Sequence, residues 1–105
     1  MVKQDKQDFA RTLENALPYM ITENYPEIVS MCLSVKYRKS PGDYKVRIEA
    51  GFNGKPGEVK WRKLPELMMS DWSDNNPESL SARDCRYKET NGALFLTFAI
   101  TENAR

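Results

Sequence analysis

Residues 28–38 read Ile-Val-Ser-Met-Cys-Leu-Ser-Val-Lys-Tyr-Arg, and this stretch decides the fold. Apolar and polar side chains alternate along it, which is typical of a β-strand with one face buried and the other in water. The apolar set is Val29, Met31, Leu33, Val35 and Tyr37. After a turn at Ser40-Pro41-Gly42-Asp43, residues 44–52 show the same period of two. The two stretches predict an antiparallel hairpin.

The alternation returns three times further along the chain. Val59 and Trp61 alternate with Lys60 and Arg62, which predicts a third strand and a meander. Residues 84–88 and 93–100 predict two last strands, in which Cys85 and Tyr87 face the interior. They are joined at Asn91-Gly92, a dipeptide that favours a two-residue hairpin turn.

Two segments have helical rather than strand periodicity. Six apolar residues upstream of the first strand share one side of a helix from about residue 4 to 23: Phe9, Leu13, Ala16, Leu17, Met20 and Ile21. Pro18 predicts a kink near residues 16–17, with two short helices as the alternative. Residues 64–80 break the strand alternation, and Pro65 suits the first position of a short helix.

The predicted order is therefore α-β-β-β-(short α)-β-β, and the predicted fold class is α+β. We expect the N-terminal amphipathic helix to pack on a roughly five-stranded antiparallel sheet, because one helical layer on one sheet buries every apolar face. Residues 1–105 form a single domain in this prediction.

The composition predicts a cytoplasmic protein with no membrane span. Hydrophobic residues make up 40% and charged residues 30% of the chain, and no apolar stretch approaches the ~20 residues that a bilayer requires. The first residues lack the apolar core of a signal peptide. Cys32 and Cys85 are predicted to be small buried thiols, with a disulfide between them as the alternative.

The chain contains no histidine, which removes the commonest general base and the commonest metal ligand. Asp71, Asp74 and Glu78 lack the spacing of a calcium loop. Residues 51–57 lack the ending of a phosphate-binding loop and instead predict a hairpin turn. We therefore expect no enzyme activity, no cofactor and no metal.

The charge distribution suggests a binding surface. Residues 36–63 carry nine basic and three acidic side chains. If the apolar alternates face the helix, eight cations and one ring point to the opposite face of the sheet: Lys36, Arg38, Lys45, Arg47, Lys60, Arg62, Arg86, Lys88 and Phe95. This prediction requires Lys45, Arg47, Lys60 and Arg62 to share one surface.

Three hypotheses about function follow. The first is a non-catalytic interaction module whose basic face binds an acidic protein partner, or which forms a homodimer through a sheet edge or around Phe95. The second is nucleic-acid binding through the same face. The third is a ligand-binding or enzymatic pocket between helix and sheet, lined by Tyr19, Tyr37, Trp61 and Trp72. An ordinary solvated face is the alternative to the first two.

Overall fold

The described part of the chain has an α+β fold with two helices and a four-stranded antiparallel sheet. The computed structural model describes residues 6–53, 58–90 and 92–103. Its elements are α1 (Lys6–Asn24), β1 (Ile28–Arg38), β2 (Asp43–Phe52), α2 (Glu58–Asn75), β3 (Leu80–Thr90) and β4 (Ala93–Glu102).

The sheet consists of two hairpins that meet along their second strands. Its strand order is β1-β2-β4-β3, so β2 and β4 are central and β1 and β3 are the edges. Helix α1 packs against β1, and helix α2 packs against β3. Both helices lie on the same face, because one apolar cluster contains buried residues of both helices and of all four strands. The other face of the sheet has no helix on it among the described residues.

The prediction of a third strand at residues 59–62 is wrong. These residues lie in α2, which begins at Glu58, so the described sheet has four strands rather than five. Four residues of alternation do not distinguish a strand from a helix end, and Leu64, Met68 and Trp72 just beyond them have helical spacing. The hairpin predicted for residues 51–57 is also wrong, because this segment leads from a strand to a helix; residues 54–57 themselves lie outside the described part.

Each helix contains a proline. Helix α1 is continuous through Pro18, so the alternative of two short helices is wrong. Pro18 has no N–H to donate to the Glu14 carbonyl, whereas Thr22 Oγ1 donates to the Pro18 carbonyl at 3.0 Å. Pro65 lies inside α2 rather than at its first position.

The predicted phase of the alternation is confirmed for the central strands. The buried residues of β2 and β4 include Val46, Ile48, Leu96 and Phe98, each at most 2% exposed. Val29 differs from the prediction and is 63% exposed. A register shift between Ile28 and Ser30 turns Val29 away from the core and places Ile28 against it instead.

Both cysteines also differ from the prediction, because Cys32 and Cys85 are exposed free thiols. Cys32 lies on β1 and Cys85 on β3, which are opposite edges of the sheet. Three strand spacings separate these edges, about 14 Å, which is beyond the ~7 Å between Cα atoms that a disulfide tolerates. The alternative of an intrachain disulfide is therefore wrong as well.

Two of the three predicted hairpin turns are confirmed. Gly42, in the turn between β1 and β2, has a φ of 89°, and its N–H donates to the Arg38 carbonyl at 2.9 Å. In the second hairpin Thr90 pairs with Ala93, and Gly92 has a φ of 71°. Positive φ is easily reached by glycine because it has no Cβ. Asn91 lies outside the described residues.

Candidate functional site

The sheet face that points away from both helices is the candidate site, and we call it the outer face. Directly paired residues of antiparallel neighbours share a face, so the registers define the set. Its members are Ser30, Cys32, Ser34, Lys36 and Arg38 on β1; Asp43, Lys45, Arg47, Glu49 and Gly51 on β2; Ala93, Phe95, Thr97, Ala99 and Thr101 on β4; and Ser81, Arg83, Arg86, Lys88 and Thr90 on β3.

More basic than acidic residues occupy the paired positions of the outer face. Six of the eight predicted cations lie on it: Lys36, Arg38, Lys45, Arg47, Arg86 and Lys88. Arg83 is a seventh. The acids at paired positions are Asp43 and Glu49. Asp84 lies in the adjacent bulge, with its carboxylate 3.7 Å from Arg83. With Asp84 counted, seven basic and three acidic residues leave a net charge of +4.

Lys60 and Arg62 do not belong to the outer face, and their predicted place on it is wrong. Both are residues of α2, on the helix side of the sheet. The Arg62 guanidinium carbon lies 5.7 Å from the centre of the Tyr87 ring. Tyr87 itself packs against the core, on the helix side of the sheet. The prediction required Lys45, Arg47, Lys60 and Arg62 to share one surface, and they are divided between two, so the patch as predicted is wrong. The cations that remain together all belong to the sheet.

A buried carboxylate organises one end of the outer face. Asp43 is 1% exposed and accepts hydrogen bonds from two arginines. Arg38 donates from Nε to Oδ1 and from Nη2 to Oδ2, both at 2.9 Å, and Arg83 Nη2 donates to Oδ2 at 3.0 Å. The hydrogen bond from Arg38 lowers the pKa of Asp43 below its ordinary value, and the charges of Arg38 and Arg83 lower it further. Asp43 therefore stays ionised and links the two edge strands.

A bulge in β3 increases the number of cations on the outer face. The register shifts between Arg83, which pairs with Ala99, and Arg86, which pairs with Thr97. Asp84 within the bulge has a φ of 55°. Strict alternation would place Arg83 and Arg86 on opposite faces, whereas the one extra residue places both on the outer face. Cys85 also lies in this bulge and is exposed, although it was predicted to face inward with Tyr87.

The centre of the outer face is uncharged. Strand β4 contributes Ala93, Phe95, Thr97, Ala99 and Thr101, which form a strip between the cations of β2 and those of β3. Phe95 is on the predicted face and is 37% exposed. Beside its ring lies a shallow depression of about 210 Å³, whose walls include Cys32, Arg47 and Thr97. Small side chains next to a ring allow another surface to approach closely.

The predicted pocket between helix and sheet is not assembled from the residues proposed for it. Tyr19 is 73% exposed, and Trp72 is buried against Phe9, with ring centres 6.1 Å apart. Tyr37 is half-buried beside Tyr44, and the Trp61 side chain lies outside the described part. Within the ranges that the structure describes, no three His, Cys, Asp or Glu residues are grouped so as to hold a metal ion.

The chain was compared with protein-family models, with curated proteins and with solved structures, and nothing matches it. Neither described helix combines the length and apolarity needed to cross a bilayer. Within the described residues, the fold is thus a two-helix layer on an open four-stranded antiparallel sheet whose other face no helix covers.

Proposed function

We propose that this protein is a non-catalytic interaction module whose outer face binds an acidic protein partner. The observation that carries the proposal is the concentration of seven cations on a sheet face that no described helix covers. Lys36 and Lys45 are directly paired on this face. Like charges at directly opposite positions destabilise a sheet, and an acidic partner would reduce that repulsion.

The layout of the outer face fits an acidic amphipathic helix. The cations of β2 and β3 are two strand spacings apart, about 10 Å, which is close to the diameter of an α-helix. An apolar stripe of the partner would lie along β4 against Phe95. Its acidic side chains would then meet Lys45 and Arg47 on one side and Arg86 and Lys88 on the other. A homodimer joined face to face is disfavoured, because it would oppose two surfaces of net positive charge.

Nucleic-acid binding is the second candidate, and the two rows of cations beside the Phe95 ring favour it. Phosphates would contact the rows while a base stacks on the ring. Single-strand binders generally stack successive bases on several rings, whereas Phe95 is the one aromatic residue among the paired positions of the outer face. We therefore rank this candidate below an acidic protein.

The same proposal places the protein in the cytoplasm. Cys32 and Cys85 are exposed and unpaired. Exposed thiols that cannot reach each other persist in a reducing compartment, whereas an oxidising one promotes intermolecular disulfides.

The test compares binding of four labelled probes at 50 and 200 mM salt. They are a 20-residue peptide with Glu and Leu arranged as an amphipathic helix, a scrambled peptide of the same composition, a 20-nucleotide single strand and a 20-base-pair duplex. The test variant is Arg47→Glu/Arg86→Glu/Lys88→Glu. The matched control, Arg11→Glu/Lys39→Glu/Lys63→Glu, changes the same number of exposed cations away from the outer face.

We expect the amphipathic acidic peptide to bind best and the outer-face variant to lose at least tenfold in affinity. The matched control should lose less than threefold, and Phe95→Ala should abolish the preference over the scrambled peptide. Equal losses in both triple variants, or no peptide binding at 50 mM salt, would overturn the proposal. Oligonucleotide binding that falls steeply with salt, without peptide binding, would replace it with the second candidate.

A further inference from the structure

The helix layer contains a groove that the outer face does not use. It runs between the C-terminal half of α1 and the middle of α2, and its volume is about 590 Å³, within the range of protein binding sites. Met20, Leu64, Leu67 and Met68 supply its apolar lining. Leu67 is 58% exposed although it is a large apolar residue.

Apolar exposure continues beyond the groove along α1. Tyr19 is 73% exposed and precedes Glu23, a lining residue, by one helical turn, so the two side chains are neighbours on the helix surface. The apolar area that a partner would cover therefore extends from Leu67 on α2 across the groove to Tyr19 on α1.

The charges at the groove are negative. Glu23 on α1 and Asp71 on α2 are the charged residues among its described lining, and they stand on opposite walls. The groove also reaches the C-terminus of α1, where the helix dipole places partial negative charge. The last turn of α1 contains no basic residue to offset it. The chain continues into Tyr25, another lining residue, whose pKa is raised by burial and by the nearby charge of Glu27.

We propose that this groove binds a basic amphipathic helix of a partner protein. Its apolar residues, three and four apart, would cover Met20 and Leu67, and lysines or arginines on either side would meet Glu23 and Asp71. This is the geometry in which an amphipathic helix lies in a groove between two others. The lining of α2 extends from residue 64 to 71, about 11 Å of helix, so two to three turns of the partner suffice.

The groove and the outer face lie on opposite sides of the sheet and have opposite charge. A module with both can hold an acidic partner and a basic partner at once. The groove is independent of the function proposed for the outer face, since the two share no residue.

The test uses a labelled 14-residue peptide of Leu and Lys with Leu at helical spacing, and a matched peptide with Glu in place of Lys. The charge variant is Glu23→Lys/Asp71→Lys, and its control is Glu78→Lys/Glu89→Lys, two acids outside the groove lining. The apolar variant is Leu67→Ser. Its control is Val29→Ser, an equally exposed apolar residue on β1. Both Leu67 and Val29 are exposed, so the folded state tolerates the change.

We expect the Lys peptide to bind at least tenfold more tightly than the Glu peptide. Glu23→Lys/Asp71→Lys should lower the affinity for the Lys peptide tenfold or more, and Leu67→Ser should lower it threefold or more. Both control variants should bind the Lys peptide within twofold of the wild-type affinity. Amide shifts on titration should map to residues 20–25 and 64–71, and the outer-face triple variant should bind the peptide no more weakly than the wild type does.

Three results would overturn this proposal. The first is equal affinity for the Lys and Glu peptides. The second is a set of amide shifts on another surface. The third is concentration-dependent self-association that Leu67→Ser abolishes, because the groove would then be occupied by a second copy of the chain rather than by a basic partner.

Discussion

Asp43 provides the sharpest test of how the outer face is built. Replacing it with Asn keeps its size but removes its charge, and the new amide group is a donor directed at two guanidinium donors. Three hydrogen bonds from Arg38 and Arg83 are affected, at 2.9, 2.9 and 3.0 Å. The substitution therefore removes the contact that links β1 to β3 through β2.

The expected loss of stability follows from burial. Hydrogen bonds to a charged group contribute about 1.5–3 kcal/mol each. The carboxylate is 1% exposed, but the Arg38 and Arg83 side chains are 45% and 46% exposed, so both guanidiniums regain hydration once the contact is lost. We therefore expect Asp43→Asn to lower the free energy of unfolding by about 2–3 kcal/mol in total rather than by the sum of three bonds. At about 4 °C per kcal/mol for a domain of this size, Tm should fall by roughly 8–12 °C.

The matched control is Glu49→Gln, which removes one negative charge from the same face and strand. Glu49 is exposed, so its replacement should change stability by less than about 0.5 kcal/mol. Any effect that arises only from the greater net positive charge of the face would appear in both variants. The difference between them isolates the buried contact.

The pH dependence gives a second readout. The pKa of Asp43 is lowered in the folded protein, so its stabilising contribution is complete above the pKa of the unfolded chain and is lost as pH falls through the folded value. Urea unfolding at several pH values should show a constant difference between wild type and Asp43→Asn from pH 7 to about 5. This difference should shrink towards pH 2. A variant as stable as Glu49→Gln at pH 7, or a difference that grows on acidification, would refute the reasoning.

Two further predictions concern the edges of the sheet. The Val35 N–H on edge strand β1 donates a hydrogen bond to Glu14 Oε2 at 3.1 Å. Glu14→Ala should therefore lower the free energy of unfolding by about 1 kcal/mol, measured in urea, and accelerate amide exchange at Val35. Unchanged exchange at Val35 would contradict this prediction. Both thiols of the native protein should react with a thiol reagent, because both are exposed, and mild oxidation should give no intrachain disulfide. Partial desolvation and the nearby charges of Glu66 and Asp84 raise the pKa of Cys85, so the thiol that remains in Cys32→Ser should react slowly near neutral pH and faster as pH is raised. A Cys85 thiol that stays unreactive in the native protein even at alkaline pH would count against its exposed position.

Much of the candidate site could be predicted from the sequence. The alternation in β1, β2 and β4 places Lys36, Lys45 and Arg47 on the face opposite the core, and it places Phe95 with them. It does so because successive side chains of any strand point to opposite faces, whatever the neighbouring strands are. The place of Arg83 on the outer face was not predicted, because a β-bulge leaves no clear mark on the composition of a strand. The one signal for the bulge is Asp84, since aspartate tolerates the positive φ that this residue adopts.

The sequence by itself determined the amphipathic stripe of α1, the phase of the central strands and the two hairpin turns, because each depends on local spacing and backbone preference. The tertiary structure decided whether residues 58–62 are strand or helix, and so whether Lys60 and Arg62 join the basic face. It also decided the burial of Asp43 between two arginines and the formation of the groove between α1 and α2. These outcomes depend on contacts between residues far apart in the chain, whose free energy outweighs the small local preference of a short segment.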